Sequence, residues 1–179
     1  KSRKNFIKNK KKLNFALIGA AGYISRKHFE VIKKLNHNII AALDVHDNVG
    51  FLDQLSYNIE YFNDYNLFKK YIKSNGLPDV IHVHRYEAGL LAIKLKRKYN
   101  IPYVVTEHSS RFLYEKLTKV EFSISKKVFT YSNYCIAVSK SLANKLSESF
   151  DIKFNYIPNI VSTEFFKKNE NIVFLYIFI

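Results

Sequence analysis

Short runs of branched and aromatic residues recur along the chain. Between them lie stretches whose apolar positions repeat every three to four residues. The first kind reads as buried strand and the second as amphipathic helix. "LNFALIGA" at 13–20 is the first predicted strand. A helix over 25–35 follows, with Val31, Ile32 and Leu35 on one face and Ile24 leading in. "NIIAALDV" at 38–45 predicts a second strand, 49–55 a short helix, and "IEYF" a brief strand. The next helix runs over 65–73; Gly76 is well placed as its stop and Pro78 prevents its continuation.

The later part repeats the rhythm. "DVIHVH" is a strand, and the helix over 87–98 buries Ala88, Leu91, Ala92 and Leu95. "PYVVTEH" is a strand, followed by a long helical stretch over 112–129. "YCIAVS" is a strand, "KSLANKLSESF" a helix and "FNYIPN" the last strand. Nearly all-apolar strands separated by helices predict an α/β fold. It is a Rossmann-like, doubly wound parallel sheet of about six or seven strands with helices on both faces. Ligands of such sheets bind beyond the carboxyl ends of the strands, so the residues that follow each strand carry the interest.

Composition narrows the class. A hydrophobic share of 47% suits a globular core and argues against disorder. The net charge is +14, and part of it is local, because "KSRKNFIKNKKK" holds seven Lys or Arg before Leu13. That run reads as a solvated, frayed terminus; an arm for nucleic acid or an anionic membrane is the sharper alternative. Nucleic acid is not expected as a partner. The single cysteine, Cys135, excludes an internal disulfide framework and a multi-cysteine zinc site, fits a reducing cytoplasm, and sits in an apolar run as a small core residue. No segment reaches the roughly 18 to 20 apolar residues that span a bilayer. The chain lacks methionine and stops within "NIVFLYIFI", so both ends read as cut.

The first strand runs into Gly19-Ala20-Ala21-Gly22-Tyr23-Ile24. Against the usual G-x-G-x-x-G, Gly19 and Gly22 stand and Ala21 takes the middle place. The first glycine permits a tight turn, a small second residue lets backbone approach a pyrophosphate, and the following helix offers free N–H groups. Asp44, after "IIAAL", stands where an acidic residue would hold the adenosine ribose. The alternative is a glycine turn that binds nothing.

With these residues in place, "NFALIGAAGYISRKHF" through "FNDYNLFKKYI" resembles the amino terminus of the Gfo/Idh/MocA oxidoreductases. The "ALIGAAGYI" and "AALDVHDNVG" stretches are especially similar to the NAD-dependent 3-dehydrogenases of UDP-N-acetylglucosaminuronate. The resemblance covers 13–74. It implies NAD as cofactor, with Gly19, Ala20, Ala21, Gly22, Tyr23 and Ile24 along the pyrophosphate, Asp44 on the ribose, and His46 and Asp47 near the adenosine. It fails at the fifth strand, which ends in Thr106-Glu107-His108-Ser109 where that family has a catalytic Lys-Pro.

Residues 77–166 resemble another family. "PDVIHVHRYEAGLLAIKLKRKYNIPYVVTEHSS", "CIAVSKSLANKL" and "FNYIPNIVSTEFF" are similar to the amino-terminal domain of family-4 glycosyltransferases of the GT-B fold. That family reads Pro-Asn-Gly-Val-Asp where Ile160 and Ser162 stand here. The resemblance implies a cleft between two domains, with acceptor on this one and a UDP-sugar donor on the other. His108 would be the catalytic candidate, with Glu107, Ser109, Ser139 and Asn159 as substrate-binding neighbours. A lone histidine also has a structural reading. His82 and His84 alternate on a strand without a carboxylate or cysteine partner, so no metal is expected.

The organisation this implies is a basic disordered tail over 1–12, a composite Rossmann-like domain over 13–166 with its seam at 74–77, and the start of a second domain over 167–179. The two resemblances imply a fragment or chimera from cell-surface polysaccharide synthesis (lipopolysaccharide or capsule), with neither active site complete. A UDP-sugar dehydrogenase fragment and a non-enzymatic fusion product are the alternatives. The partners implied are a nucleotide or nucleotide sugar and a saccharide or lipid-linked acceptor. The place implied is the cytoplasm, at the inner face of the membrane.

Overall fold

The computed structural model of the chain describes residues 11–21, 25–46 and 59–159. The predicted helix at 49–55, the tail through residue 10, Gly22, Tyr23, Ile24, Asp47 and the run over 167–179 lie outside the described residues. Seven strands form one sheet: β1 (Asn14–Ile18), β2 (Asn38–Leu43), β3 (Glu60–Phe62), β4 (Val80–His84), β5 (Tyr103–Glu107), β6 (Tyr134–Ala137) and β7 (Phe154–Tyr156). Their order is β3-β2-β1-β4-β5-β6-β7, and each neighbouring pair is parallel. This is the doubly wound order. The chain reverses direction of travel across the sheet between β1 and β4, which opens a crevice beyond their carboxyl ends.

The helices are α1 (Ser25–Lys34), α2 (Tyr65–Asn75), α3 (Gly89–Tyr99), α4 (Lys119–Tyr131) and α5 (Lys140–Phe150). Three of them start on a side-chain cap. Asp64 accepts from the Leu67 N–H at 2.8 Å for α2, and Ser139 from the Leu142 N–H at 3.2 Å for α5. Thr118 and Glu121 form a reciprocal capping box for α4.

That box corrects one boundary. The stretch over 112–129 is not one helix. A 3-10 turn at Ser110–Phe112 comes first, the backbone reaches positive φ at Glu115, and Thr118-x-x-Glu121 starts a new helix. Thr118 satisfies the free N–H groups of the new first turn, so the break is stabilised where it occurs. A second correction concerns α1. Its buried face is Ser25, Phe29 and Ile32, while Leu35 lies past the helix end and is 59% exposed. In α3, Gly89, Ala92, Ile93 and Leu95 are buried and Leu91 is half-buried, as is Ala88 just before the helix.

The two faces of the sheet differ. On one, Leu17, Ala20 and Ala42 pack with Phe29 and Ile32 of α1. On the other, α2 to α5 bury a continuous core that includes Phe68, Ile72, Leu95, Val128, Phe129, Leu146 and Phe150. Cys135 is buried there as a free thiol. Among the described residues no helix is long and apolar enough to cross a membrane.

Candidate functional site

The crevice at the carboxyl ends of β1, β2, β4 and β5 holds a cavity of about 740 Å³. Gly19, Ala21, Asp44 and His46 line one wall, and His84, Arg85, Glu87 and His108 the other.

Gly19 makes the turn at the first wall. Its φ is +82°, in the left-handed region, and a Cβ there would stand 2.6 Å from the His84 carbonyl oxygen. The glycine is therefore required by the backbone of β4 as well as by the turn. The Gly19 and Ala20 N–H groups donate to the Leu43 carbonyl at 2.9 and 3.3 Å. Asp44 fixes the same loop. One carboxylate oxygen accepts from the Ala21 N–H at 2.8 Å and the other from the His46 N–H at 3.0 Å. Tyr61 Oη lies against the carbonyls of Asp44 and His46.

The fit to a dinucleotide is partial. Asp44 faces the cavity, and each oxygen retains a further lone pair for a ribose hydroxyl. Yet its present use is to lock the turn, and the missing Cβ of Gly19 makes room for His84, not for the open cavity.

Two residues of the opposite wall, His84 and His108, belong to a row of four imidazoles. β4 alternates, so His82 and His84 share the face that α1 covers, and α1 lays His28 over them. The His28 ring centroid is 4.8 Å from His82 and 4.4 Å from His84, and His82 stacks on His84 at 4.4 Å. His108, just past β5, extends the row at 5.8 Å from His84. Burial favours the neutral rings. It pulls His28 and His108 down to about 4. Burial and then the neighbouring His28 and His108 pull His82 to about 3. His84, beside the other three, lies well below the ordinary value. His82 Nε2 pairs with the buried Thr106 hydroxyl at 2.8 Å. Both ring nitrogens of His84 and of His108 are buried without a hydrogen-bond partner.

The remaining predicted site residues are placed as follows. Glu107 is fully buried on the opposite face from His84. Its carboxylate accepts from the N–H groups of Tyr86, His108 and Ser109 at 3.1, 2.9 and 2.8 Å. Burial raises its pKa to about 7 against those N–H groups, which favour the charged form. It holds the strand end in shape and does not reach the cavity. Ser109 caps the 3-10 turn by accepting from the Arg111 N–H at 3.3 Å. Ser139 caps α5 and also meets the Ser141 hydroxyl at 3.2 Å. Asn159 lines a separate, smaller cavity of about 190 Å³ with His28, His82 and Thr106. The structure thus brings Gly19, Ala21, Asp44, His46 and His108 around one cavity and leaves Glu107, Ser139 and Asn159 off it.

The residue that sequence reading missed is His28. The signal was present: Ser25, His28, Phe29 and Ile32 fall at i, i+3, i+4 and i+7.

With this geometry in hand, comparison with known proteins defines the class. The model of Glycosyltransferase Family 4 matches residues 36–165, and the chain belongs to that family. The match runs through the loop at 74–77. Among individual relatives, the chain is 29% identical over 161 residues to the uncharacterized glycosyltransferase MJ1178 of Methanocaldococcus jannaschii, covering 89% of this chain and 42% of that protein. Anabaena Alr3699/HepE, crystallised with UDP and glucose, superposes with a TM-score of 0.68 at 13% identity, over 88% of this chain and 47% of its own. This chain therefore spans less than half the length of either. The WlbA (WbpB) dehydrogenase from Thermus thermophilus, crystallised with NAD and UDP-GlcNAcA, superposes at a TM-score of only 0.46 and 23% identity over 70% of this chain and 41% of its own, too loosely to bear on chemistry.

Proposed function

We propose that this chain is the acceptor-side domain of a glycosyltransferase that moves a sugar from a nucleotide sugar to a saccharide or lipid-linked acceptor in cell-surface polysaccharide synthesis. The observation that carries the reading is the cavity at the sheet's reversal point, walled by the unpartnered His108 and the Gly19 turn, in a chain of family 4. The donor would be a UDP-sugar, held by a second domain across the crevice; the Anabaena structure holds UDP and glucose. Work on a lipid-linked acceptor places the protein at the cytoplasmic face of a membrane.

His108 supports this reading as a hydrogen-bonding group and not as a strong base. A general base works best with a pKa near the working pH, and burial holds this ring at about 4. A neutral imidazole still has one N–H and one lone pair for sugar hydroxyls. A hydroxyl of the transferring sugar or of the acceptor would satisfy the ring nitrogens that the fold leaves unmet. NMR titration with saccharide acceptors tests the domain as it stands. Shifts should gather at Ala21, His84, Arg85 and His108; shifts spread over the surface, or none, would contradict the reading.

A second reading is favoured by Asp44 on the same wall as the Gly19 turn: NAD in the cavity, with 13–74 derived from a sugar-nucleotide dehydrogenase. When bound, NAD would supply hydride chemistry, and Asp44 would hold its ribose. NADH fluorescence titration separates the two readings, since binding that disappears in Asp44→Ala supports the second.

A further inference from the structure

We propose that His28, His82 and His84 form a binding site for one divalent transition-metal ion of the zinc class, between α1 and β4. Each of the three offers a ring nitrogen, and these nitrogens all lie within 4.8 Å of one another. Zinc–imidazole bonds of about 2.0–2.1 Å in tetrahedral geometry set the nitrogens about 3.3 Å apart. Ring rotations that close each gap by at most about 1.5 Å would therefore complete the set.

Three further observations point to a ligand. First, His84 is 6% exposed, yet both its nitrogens lack a partner. A buried polar atom without a partner is costly, and an ion on the ring's lone pair would meet one of the two nitrogens. Second, His82 is already oriented as metal-bound histidines are. One nitrogen, Nε2, pairs with the Thr106 hydroxyl at 2.8 Å, an outer partner of the kind that fixes the ring of a metal-bound histidine. Third, cavities border the cluster. The cavity of about 190 Å³ touches His28 and His82, and the larger cavity touches His84 and His108. The His108 ring lies beside the cluster, 5.8 Å from His84 and 6.4 Å from His28.

The donor set selects the ion. Three neutral imidazoles without a carboxylate suit zinc, copper, nickel or cobalt, and exclude the oxygen-seeking magnesium and calcium. The site does not depend on how the transferase reading fares, because its three ligands lie in α1 and β4, with Thr106 behind His82.

The test uses the untagged, chelator-stripped chain. Zn²⁺ is titrated by calorimetry, and Co²⁺ by its visible absorption, which reports a tetrahedral nitrogen site. We expect one ion per chain and no response to Mg²⁺. Thr106→Val, which keeps the shape of the side chain, should weaken Zn²⁺ binding by about 10- to 100-fold. His28→Gln and His84→Gln should weaken it further, while His37→Gln leaves it unchanged. Absence of Zn²⁺ binding to the folded wild-type chain overturns the proposal. So does binding that is equally tight in Thr106→Val and His28→Gln, which would place the ion elsewhere.

Discussion

One face of the sheet carries four helices and a core in which aromatic rings touch in series. The other carries, among the described residues, α1 and a row of imidazoles. On the first, Phe129 meets Phe112, Phe150 and Phe154 at centroid distances of 6.0, 5.2 and 4.9 Å, in tilted or edge-on geometry. On the second, polar rings are buried with nitrogens that the fold leaves unmet. The first arrangement gains stability from burial; the second gives some of it up. The difference teaches where to look for function. A fold retains buried, unsatisfied groups where something else is to meet them, and here they converge on the crevice that the strand order opens.

The comparison can be broken first on the aromatic face. Phe129→Ala should destabilise the fold by about 3–5 kcal/mol, the range for losing a buried Phe. Urea denaturation would show the shift, with secondary structure kept in the absence of urea. A loss below about 1 kcal/mol would mean that this core does not hold the domain.

The histidine face should fail in acid. In the metal-free chain His28 has a folded pKa of about 4, below its unfolded value, so the folded state binds fewer protons. Its contribution is complete above the unfolded pKa and is lost as pH falls through about 4. At pH 4 that loss is about 3 kcal/mol for one such ring. Glu107, with its pKa raised, works in the opposite direction but is one group against four. Stability measured at pH 7 and pH 4 should therefore fall more in the wild type than in His28→Gln; equal slopes would contradict the buried, neutral state.

Gly19→Ala joins the two faces. The positive φ alone carries about 1–2 kcal/mol for a residue with a Cβ, and the contact with the His84 carbonyl adds to it. Thermal unfolding should register the loss, and acceptor binding should fall with it. The smallest effect sharpens the contrast. Thr118→Ala removes the α4 cap, which contributes about 1 kcal/mol, and should leave the cavity's ligand binding unchanged.

Much of the fold is legible in the sequence because its strands are short, apolar and punctuated. The alternation of strand and helix, the doubly wound parallel class and the Gly19 turn follow from local pattern; the order of the strands needs the structure. What was not legible has physical causes. The break before α4 depends on Thr118 and Glu121, a capping pair hidden inside an apolar rhythm. His28 was obscured because Val31, Ile32 and Leu35 also suggest a helical face, and only packing against β4 decides between the two. Glu107, the last residue of β5, is a substrate-binding candidate by resemblance alone, as a neighbour of His108. The register turns it to the other face, where backbone N–H groups take up its carboxylate. Ser139, also implied by resemblance, opens α5 as expected, with its hydroxyl accepting from the Leu142 N–H.

The central claim is that the crevice beside His108 is the acceptor side of a sugar-transfer site. Sugar transfer measures it most directly: the chain is joined to a family-4 donor domain and given a labelled UDP-sugar with a saccharide or lipid-linked acceptor. Labelled product should form, and His108→Ala should slow it at least about tenfold, the effect of one lost hydrogen bond near 1.4 kcal/mol. Equal rates in the variant, or no product from an assembly whose donor domain works with its own acceptor domain, would contradict the account.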